Sequence, residues 1–392
     1  MGYKPTPIAK CVTKVSTWNP RQSPRAEDFP YVDLSSINKD TKSIVAQDVP
    51  TVSPSDAPSR ARQIISEGDV LVSTVRPNLN GVALVSERFD GATASTGYCV
   101  LRPDQKRLDS KYLFYWVQTP QFIESMMKQA TGANYPAVSD NVVKGSAIPL
   151  PPLAEQKRIA AILDKADALR RKRQQAIDLA DQFLRSVFLE MFGDPVTNPK
   201  GWPTLPLKEL SCIVTGNTPS RNEPENYGSA IEWIKSDNIN TPNHYLTEAE
   251  ERLSDIGLEK GRCVPSGSVL ITCIAGSPQC IGNAAIADRE VAFNQQINAL
   301  IPSKSATTEY LYSLALFGKK LIQGASTNSM KGMVSKGNLE LLEVPSPPME
   351  LQEKYSKMFR EFLNKRQRQS SSLEYSDGLF YSLSQQAFSG QL

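Results

Sequence analysis

The chain has 392 residues, 40% of them hydrophobic and 22% charged, with 13 Phe, 13 Tyr and 4 Trp, which predicts two to four domains of ~100 to 200 residues and excludes a wholly disordered chain. No apolar run approaches the ~20 residues that span a bilayer, and the opening MGYKPTPIAK lacks the apolar stretch of a signal peptide, so a cytoplasmic protein is expected. The net charge of +3 divides as 17 basic against 14 acidic residues over 1–150, 8 against 6 over 151–192, 13 against 16 over 193–348 and 6 against 5 over 349–392, a balance that by itself names no nucleic-acid partner.

In chain order, the first predicted strands are 69–75 and 81–85, short β-rich runs broken by turns. A helical stretch is predicted over 110–128. The segment Ile148-Pro149-Leu150-Pro151-Pro152 then closes the first lobe, because proline starts helices well and cannot continue strands. From about Leu153 to Phe192, alternating three-and-four spacing selects Ile159, Ile162, Ala166, Leu169, Arg173, Ala176, Ala180, Phe183, Val187 and Glu190, of which eight are apolar. A seam sustained this long predicts a coiled-coil helix that needs a partner, roughly 60 Å long at ~1.5 Å per residue. The second half runs in the same order: a strand over 269–274, a helical stretch over 308–322, prolines at 345–348 and a helix over 349–388. Its seam collects Tyr355, Met358, Phe362, Leu379 and Leu383 around polar Lys365, Gln369, Ser372 and Ser376.

These halves are copies. Ile148-Pro149-Leu150-Pro151-Pro152 recurs 196 residues on as Val344-Pro345-Ser346-Pro347-Pro348, with Gln156 and Gln352 following and Ser139 and Ser335 preceding at the same offset. Gly68-Asp69-Val70-Leu71 matches Gly267-Ser268-Val269-Leu270 at 199, and Tyr31-Val32 with Ile37 matches Trp233-Ile234 with Ile239 at 202, a drift that small loop insertions produce. The expected fold is α+β with an internal pseudo-two-fold repeat. Mixed α/β lobes over 1–150 and 194–348 are joined by long helices over 151–193 and 349–392. One helix leads away from the first lobe and an equal one returns, which predicts an antiparallel pair; the alternative is that each helix packs on its own lobe.

The chemistry is narrowed by what is scarce. His244 is the only histidine, and the six cysteines contain no C-x-x-C pair, so neither a His-rich metal site, a zinc ribbon nor a thioredoxin-like centre is supported. There is no G-x-x-x-x-G-K-[ST] phosphate loop, no G-x-G-x-x-G, and no Asn-Pro-Pro-aromatic or Asp-Pro-Pro-aromatic element of the kind amino-methyltransferases use. What remains are polar and basic turns. Arg76-Pro77-Asn78-Leu79-Asn80 leads them, since Arg and Asn make the paired hydrogen bonds that read guanine and adenine edges. Asn134 and Tyr135 join it in the first lobe, and Ser220, Arg221, Asn222, Ser277, Gln279, Asn328 and Lys331 are the candidates in the second. Taken singly, each of these residues reads first as part of a plain solvated turn. The clusters Leu169-Arg170-Arg171-Lys172-Arg173-Gln174 and Asn364-Lys365-Arg366-Gln367-Arg368-Gln369 either contact phosphates or form helix flanks paired with acids.

The run Ile148 to Ala160, IPLPPLAEQKRIA, resembles the segment that joins target recognition domain to spacer helix in type I restriction-modification specificity subunits. Gly68 to Val72, Trp202 and the two-copy layout extend the likeness over the whole chain. The resemblance implies two target recognition domains, each reading one half of an asymmetric, bipartite site on double-stranded DNA, and a helix pair that sets the spacing. It implies a non-catalytic chain that recruits two modification subunits, which carry S-adenosylmethionine and flip out adenine, and restriction motor-nuclease subunits that use ATP and magnesium. A free-standing two-lobed DNA-binding regulator is the competing reading, with a duplicated enzyme below it. The acidic second lobe predicts weak intrinsic DNA binding.

Overall fold

The computed structural model describes residues 3–23, 27–132, 134–326 and 332–392. The chain packs as two compact units, Met1–Gln175 with Ser370–Leu392, and Ala176–Gln369. Each unit therefore contains one lobe and a stretch of both long helices.

In the first unit Val70–Ser73 lies between Tyr98–Pro103 and Val82–Leu84 in an antiparallel sheet with Val12–Thr13 at its edge. Successive side chains of a strand point to opposite faces. Val70 and Val72 enter a core with Tyr112, Leu113 and Trp116 of the helix Ser110–Trp116, whereas Leu71 enters a second core with Val32, Ala94 and Tyr98. Both faces are covered, which is why the strand reads as an unbroken apolar run. A second sheet orders Thr51–Val52, Phe29–Val32, Thr93–Ser95 and Ala61–Ile64, with Thr93–Ser95 parallel to Phe29–Val32.

The second unit repeats this plan. Val269–Thr272 sits between Ile297–Pro302 and Ala284–Ile286 with Ser211–Thr215 outside, and Tyr227–Ile234 runs parallel to Val291–Phe293 in the other sheet. Val269 and Ile271 face one core and Leu270 the other. Each lobe is closed by a short antiparallel pair just before its long helix, Pro5–Pro7 with Ala147–Pro149 and Thr204–Pro206 with Glu343–Pro345.

The repeated glutamines have one job in both copies. Gln156 is fully buried, accepts from the Asp109 N–H at 2.9 Å and donates to the carbonyls of Arg107 and Pro151, both at 2.9 Å. Gln352, equally buried, accepts from the Thr307 N–H and donates to Ser305 and Pro347. Asp109 and Thr307 are the N-caps of the helices Ser110–Trp116 and Thr308–Phe317. One amide side chain thus locks the start of each long helix to the start of a lobe helix, satisfying groups that burial would otherwise leave unpaired.

The long helices are Leu153–Phe192 and Met349–Ser389. Within the first unit Arg158 donates to the Leu392 carbonyl, Arg170 pairs with Asp377, and Arg173 donates to the Ser372 carbonyl and the Ser376 hydroxyl. Partner numbers fall as helix numbers rise, so the two stretches run in opposite directions there.

Three details differ from expectation. The stretch 110–128 is two helices, Ser110–Trp116 and Pro120–Gln129, because Pro120 cannot continue a helix yet suits a first turn capped by the Thr119 hydroxyl. Its counterpart divides at Gly318 into Thr308–Phe317 and Lys319–Gly324. The buried stripe of the long helices also departs from the chosen seam. Ile159, Val187 and Tyr355 are buried and Ile162, Ala166, Phe362 and Leu383 half-buried, but Leu169, Phe183, Met358 and Leu379 are exposed, and Leu163, Ile177, Leu184, Phe188, Phe359 and Phe380 are buried in their place. A strict seven-residue repeat drifts ~20° per heptad on a straight helix, and each helix is also buried against its lobe.

Candidate nucleic-acid interface

In the first lobe the turn after Val70–Ser73 is shaped by two residues in the left-handed region, Arg76 (φ 50°) and Asn80 (φ 45°), flanking the single turn Pro77–Leu79. A bridge between Val75 and Ala137, and a 2.7 Å hydrogen bond from the Arg76 N–H to the Pro136 carbonyl, fasten this turn to the loop that carries Asn134 and Tyr135. The Arg76 guanidinium lies 4.4 Å from the centre of the Tyr135 ring, which is 67% exposed. A guanidinium held over an aromatic face keeps its outer N–H groups for another acceptor. Asn78 and Asn134 are exposed beside them. Asn80 is the exception, because it is buried and donates to the Val117 carbonyl at 2.8 Å, so its side chain anchors the turn.

A wall that the sequence reading missed completes this surface. Ile37–Asn38 and Ser43–Ile44 form a hairpin whose tip brings Lys39 to a cleft of about 260 Å³ lined by Arg76, Tyr135, Leu34 and Tyr98. Its other lysine, Lys42, donates to the Asn80 carbonyl at 2.7 Å. The available signal was the short polar run Asn38-Lys39-Asp40-Thr41-Lys42 between Ile37 and Ile44.

The second lobe repeats the frame. Ile274 bridges Met333 as Val75 bridges Ala137, and Val334 N–H donates to Cys273 as Val138 N–H donates to Thr74, both at 2.9 Å. Ser277 and Gln279 are exposed on the turn Pro278–Cys280, and the connection over 273–283 is three residues longer than 74–81 in the first lobe. Lys319 braces it by donating to the Gln279 carbonyl at 2.6 Å and to the Asn283 side chain. Asn328 and Lys331 lie outside the described residues.

Ser220, Arg221 and Asn222 are exposed on a turn that packs on the other sheet. Arg221 pairs with Glu251 at 2.9 Å and lies over the rings of Tyr227 and Trp233 at 5.2 and 5.5 Å. Burial works against the Glu251 carboxylate, yet Arg221 and Lys235 outweigh it and hold the carboxyl below its ordinary range. Much of the Arg221 charge is therefore answered within the lobe.

On the long helices most arginines of the two basic clusters have partners. Arg170 pairs with Asp377 at 2.7 Å and with Asp167, Arg171 pairs with Asp167 at 2.6 Å, and Arg366 pairs with Asp181 at 2.8 Å. This favours the acid-paired flank over phosphate contact for those residues and leaves Lys172, Lys365 and Arg368 exposed. The pairs are reciprocal: Arg366 stands 196 residues after Arg170, and Asp377 the same distance after Asp181. Arg170–Asp377 lies in the first unit and Arg366–Asp181 in the second. The second carries an addition, since the buried His244 ring accepts or donates to the Tyr312 hydroxyl at 2.9 Å and to Asp181 at 3.4 Å. Burial raises the cost of charge on Asp181, but His244 and Arg366 more than offset it and keep the carboxyl below its usual value.

The family described as "Type I restriction modification DNA specificity domain" matches residues 21–179 and again residues 199–373. Among curated proteins, the specificity subunit of the type I restriction enzyme HindI of Haemophilus influenzae is 21% identical over 360 residues, covering 73% of this chain and 76% of that one. The EcoR124I/EcoR124II specificity subunit of Escherichia coli is 24% identical over 289 residues, covering 69% and 67%. Among solved structures, a chain from work on complex assembly and conformational transition of the type I R-M system superposes with a TM-score of 0.58 at 24% identity, covering 100% of this chain and 98% of that one. The S subunit of a type I restriction-modification system from M. genitalium does so with a TM-score of 0.58 at 15% identity, covering 98% and 96%. Both structural likenesses bear on the fold.

Proposed function

The chain belongs to the type I restriction-modification DNA specificity family, and from that premise we propose that each lobe reads one half of a bipartite, asymmetric DNA site while the two long helices set the spacing and dock modification subunits. The observation that carries this reading is the doubled design: two lobes with the same strand order, each with its polar turns fastened by the same bridge, tied to long helices by the same glutamine. Two similar but unequal reading surfaces suit two different half-sites.

In the first lobe the proposed contacts come from Arg76, Asn78, Asn134 and Tyr135, with Asn80 as an anchor; in the second from Ser277, Gln279, Asn328 and Lys331, with Ser220, Arg221 and Asn222 on a neighbouring turn. The boundaries are 1–150 and 194–348 for the recognition domains and 151–193 and 349–392 for the spacer helices. The helices form a continuous antiparallel coiled-coil pair, a reading supported by the reciprocal ion pairs and by the opposed contacts inside the first unit. Half-sites on one face of B-DNA lie about one turn, ~34 to 36 Å, apart, which fixes the length such a spacer must supply.

The partners are double-stranded DNA, two modification subunits that carry S-adenosylmethionine, and restriction subunits that use ATP and magnesium; this chain is the non-catalytic member. Two docking places are supported by exposed apolar pairs at repeated positions. Leu179 and Phe183 on the first helix recur 196 residues on as Tyr375 and Leu379 on the second, and all four are exposed. No helix among the described residues is long and apolar enough to cross a membrane.

The test is to co-produce the chain with its modification subunits and sequence the methylated adenines. Replacing 1–150 with another first lobe should change one half-site and leave the other. A change in both, or a chain that binds one contiguous operator tightly and never associates with a modification subunit, would refute the reading.

A further inference from the structure

Among the described residues only four non-glycine residues adopt a left-handed backbone, Lys42, Arg76, Asn80 and Asn198. Three of them meet at one place. Lys42 (φ 51°), at the end of the hairpin tip, sends its ammonium to the carbonyl of Asn80, and Asn80 and Arg76 bound the turn that presents Asn78. Such a backbone is strained, and the strain persists only where surrounding contacts over-determine it. The contacts that do so here include the Val75–Ala137 bridge, the Arg76 N–H on Pro136, the Asn80 amide on Val117, and the Lys42 ammonium on the Asn80 carbonyl. The Asn80 side-chain oxygen is buried without a protein partner, so the amide holds the turn by one end only.

We infer that Lys42 is a specificity-determining positioning residue of the first lobe: its ammonium holds the Asn80 carbonyl and thereby the left-handed turn from which Arg76 and Asn78 address the DNA half-site. This deepens the function proposed above and rests on it. Lys42 touches no base; it acts through the turn. Burial lowers the Lys42 amine to about 8, with Asp40 opposing the fall and Arg170 and Lys39 adding to it. Arg170 comes from the long helix and is itself answered by Asp167 and Asp377, and Arg76 is the charged residue on the turn. A charge-assisted hydrogen bond is about twice as strong as a neutral one, so deprotonation loosens the turn. The effect on folding has the opposite sign. A lysine whose folded value lies below its unfolded ~10.4 releases its proton more readily when folded, so this group favours the fold more as pH rises from about 8. Lost reading above pH 8 would therefore not be unfolding caused by Lys42.

The experiment uses the assembled complex with modification subunits, carrying Lys42→Met or Lys42→Arg, and three duplexes: the intact site, one altered only in the first lobe's half-site, and one altered only in the other. Methylation kcat/KM gives discrimination at each half-site between pH 7 and 9.5. The expected result is that Lys42→Met lowers discrimination at the first half-site about tenfold and leaves the second unchanged, and that Lys42→Arg retains it. Wild type should lose first-half discrimination above pH 8, and Lys42→Arg should not. Equal loss at both half-sites, full discrimination in Lys42→Met, or identical pH profiles for wild type and Lys42→Arg would overturn the inference. Should Lys42→Met fail to assemble, the two pH profiles decide alone. If wild type shows no site-dependent methylation, the function proposed above is what fails.

Discussion

Asp181→Ala should destabilise the second unit far more than Asp377→Ala destabilises the first, although the two aspartates occupy the same place in the repeat. Asp181 accepts two bonds from Arg366, at 2.8 and 3.3 Å, and meets His244 at 3.4 Å. The Arg366 side chain is 13% exposed and that of Asp181 39%, so screening by water removes part of what a fully buried pair would lose. Losing two charge-assisted bonds and leaving a mostly buried guanidinium with only the Pro242 carbonyl costs about 2 kcal/mol, roughly thirtyfold in the folding equilibrium. Asp377 makes one bond to Arg170, whose side chain is 25% exposed and keeps Asp167, so its loss costs about 0.5 kcal/mol. Denaturant unfolding of both variants measures the difference, hydrogen exchange locates it, and a double-mutant cycle with Arg366→Gln isolates the pair. Because the Asp181 carboxyl lies below its ordinary value when folded, the stabilisation is present above the unfolded ~3.9 and disappears as pH falls through the folded value. The wild-type advantage should thus be flat from pH 7 to about 5 and vanish in stronger acid. Equal costs for the two variants, or an advantage that grows in acid, would refute the reasoning.

Gln156→Leu removes three buried bonds and orphans the Asp109 N–H and two carbonyls, and should cost about 3 kcal/mol in the first unit; Gln352→Leu should do the same in the second, both read by thermal unfolding with hydrogen exchange. Leu179→Ser with Phe183→Ser should lower the modification-subunit content of the purified complex from two to one, measured by native mass spectrometry, while folding stays intact because both side chains are exposed. Seven residues added to each long helix lengthen it by ~10.5 Å, so methylome sequencing should show the gap between half-sites growing by roughly three base pairs at ~3.4 Å per step; an unchanged gap would refute the ruler.

The repeat was legible because its marks are local necessities. Proline ends a strand, glutamine fills a slot between two helix starts, and Val70 to Val72 must be apolar on both faces. The ends of the long helices were legible for the same reason. The phase of their buried stripe was not, since Leu163 and Phe380 answer to lobe helices as well as to each other, and a periodicity count sees one partner only. The division at Pro120 could have been read from the proline itself. Among the candidate residues, Arg76 and Tyr135 lie 59 positions apart in sequence, and their stacking goes with the bridge between Val75 and Ala137, which no spacing announces. The polar run that carries Lys42 could have been read, but its contact with the Asn80 carbonyl could not, because that depends on where one amine points.

The membership of each compact unit has a consequence for how the chain is made. The first lobe's helix packs Tyr112 and Trp116 against Phe388, and Tyr115 against Phe380, at ring separations of 5.1 to 5.9 Å. A ribosome adding ~5 to 20 residues per second delivers those phenylalanines roughly 10 to 40 s after Gln175. For that interval the nascent first lobe exposes aromatic surface whose cover is not yet synthesised. The second unit, continuous from Ala176 to Gln369, meets no such delay. The lobe translated first is therefore the one completed last, and the nascent chain is most open to chaperone capture or to pairing with a neighbouring nascent chain during that wait.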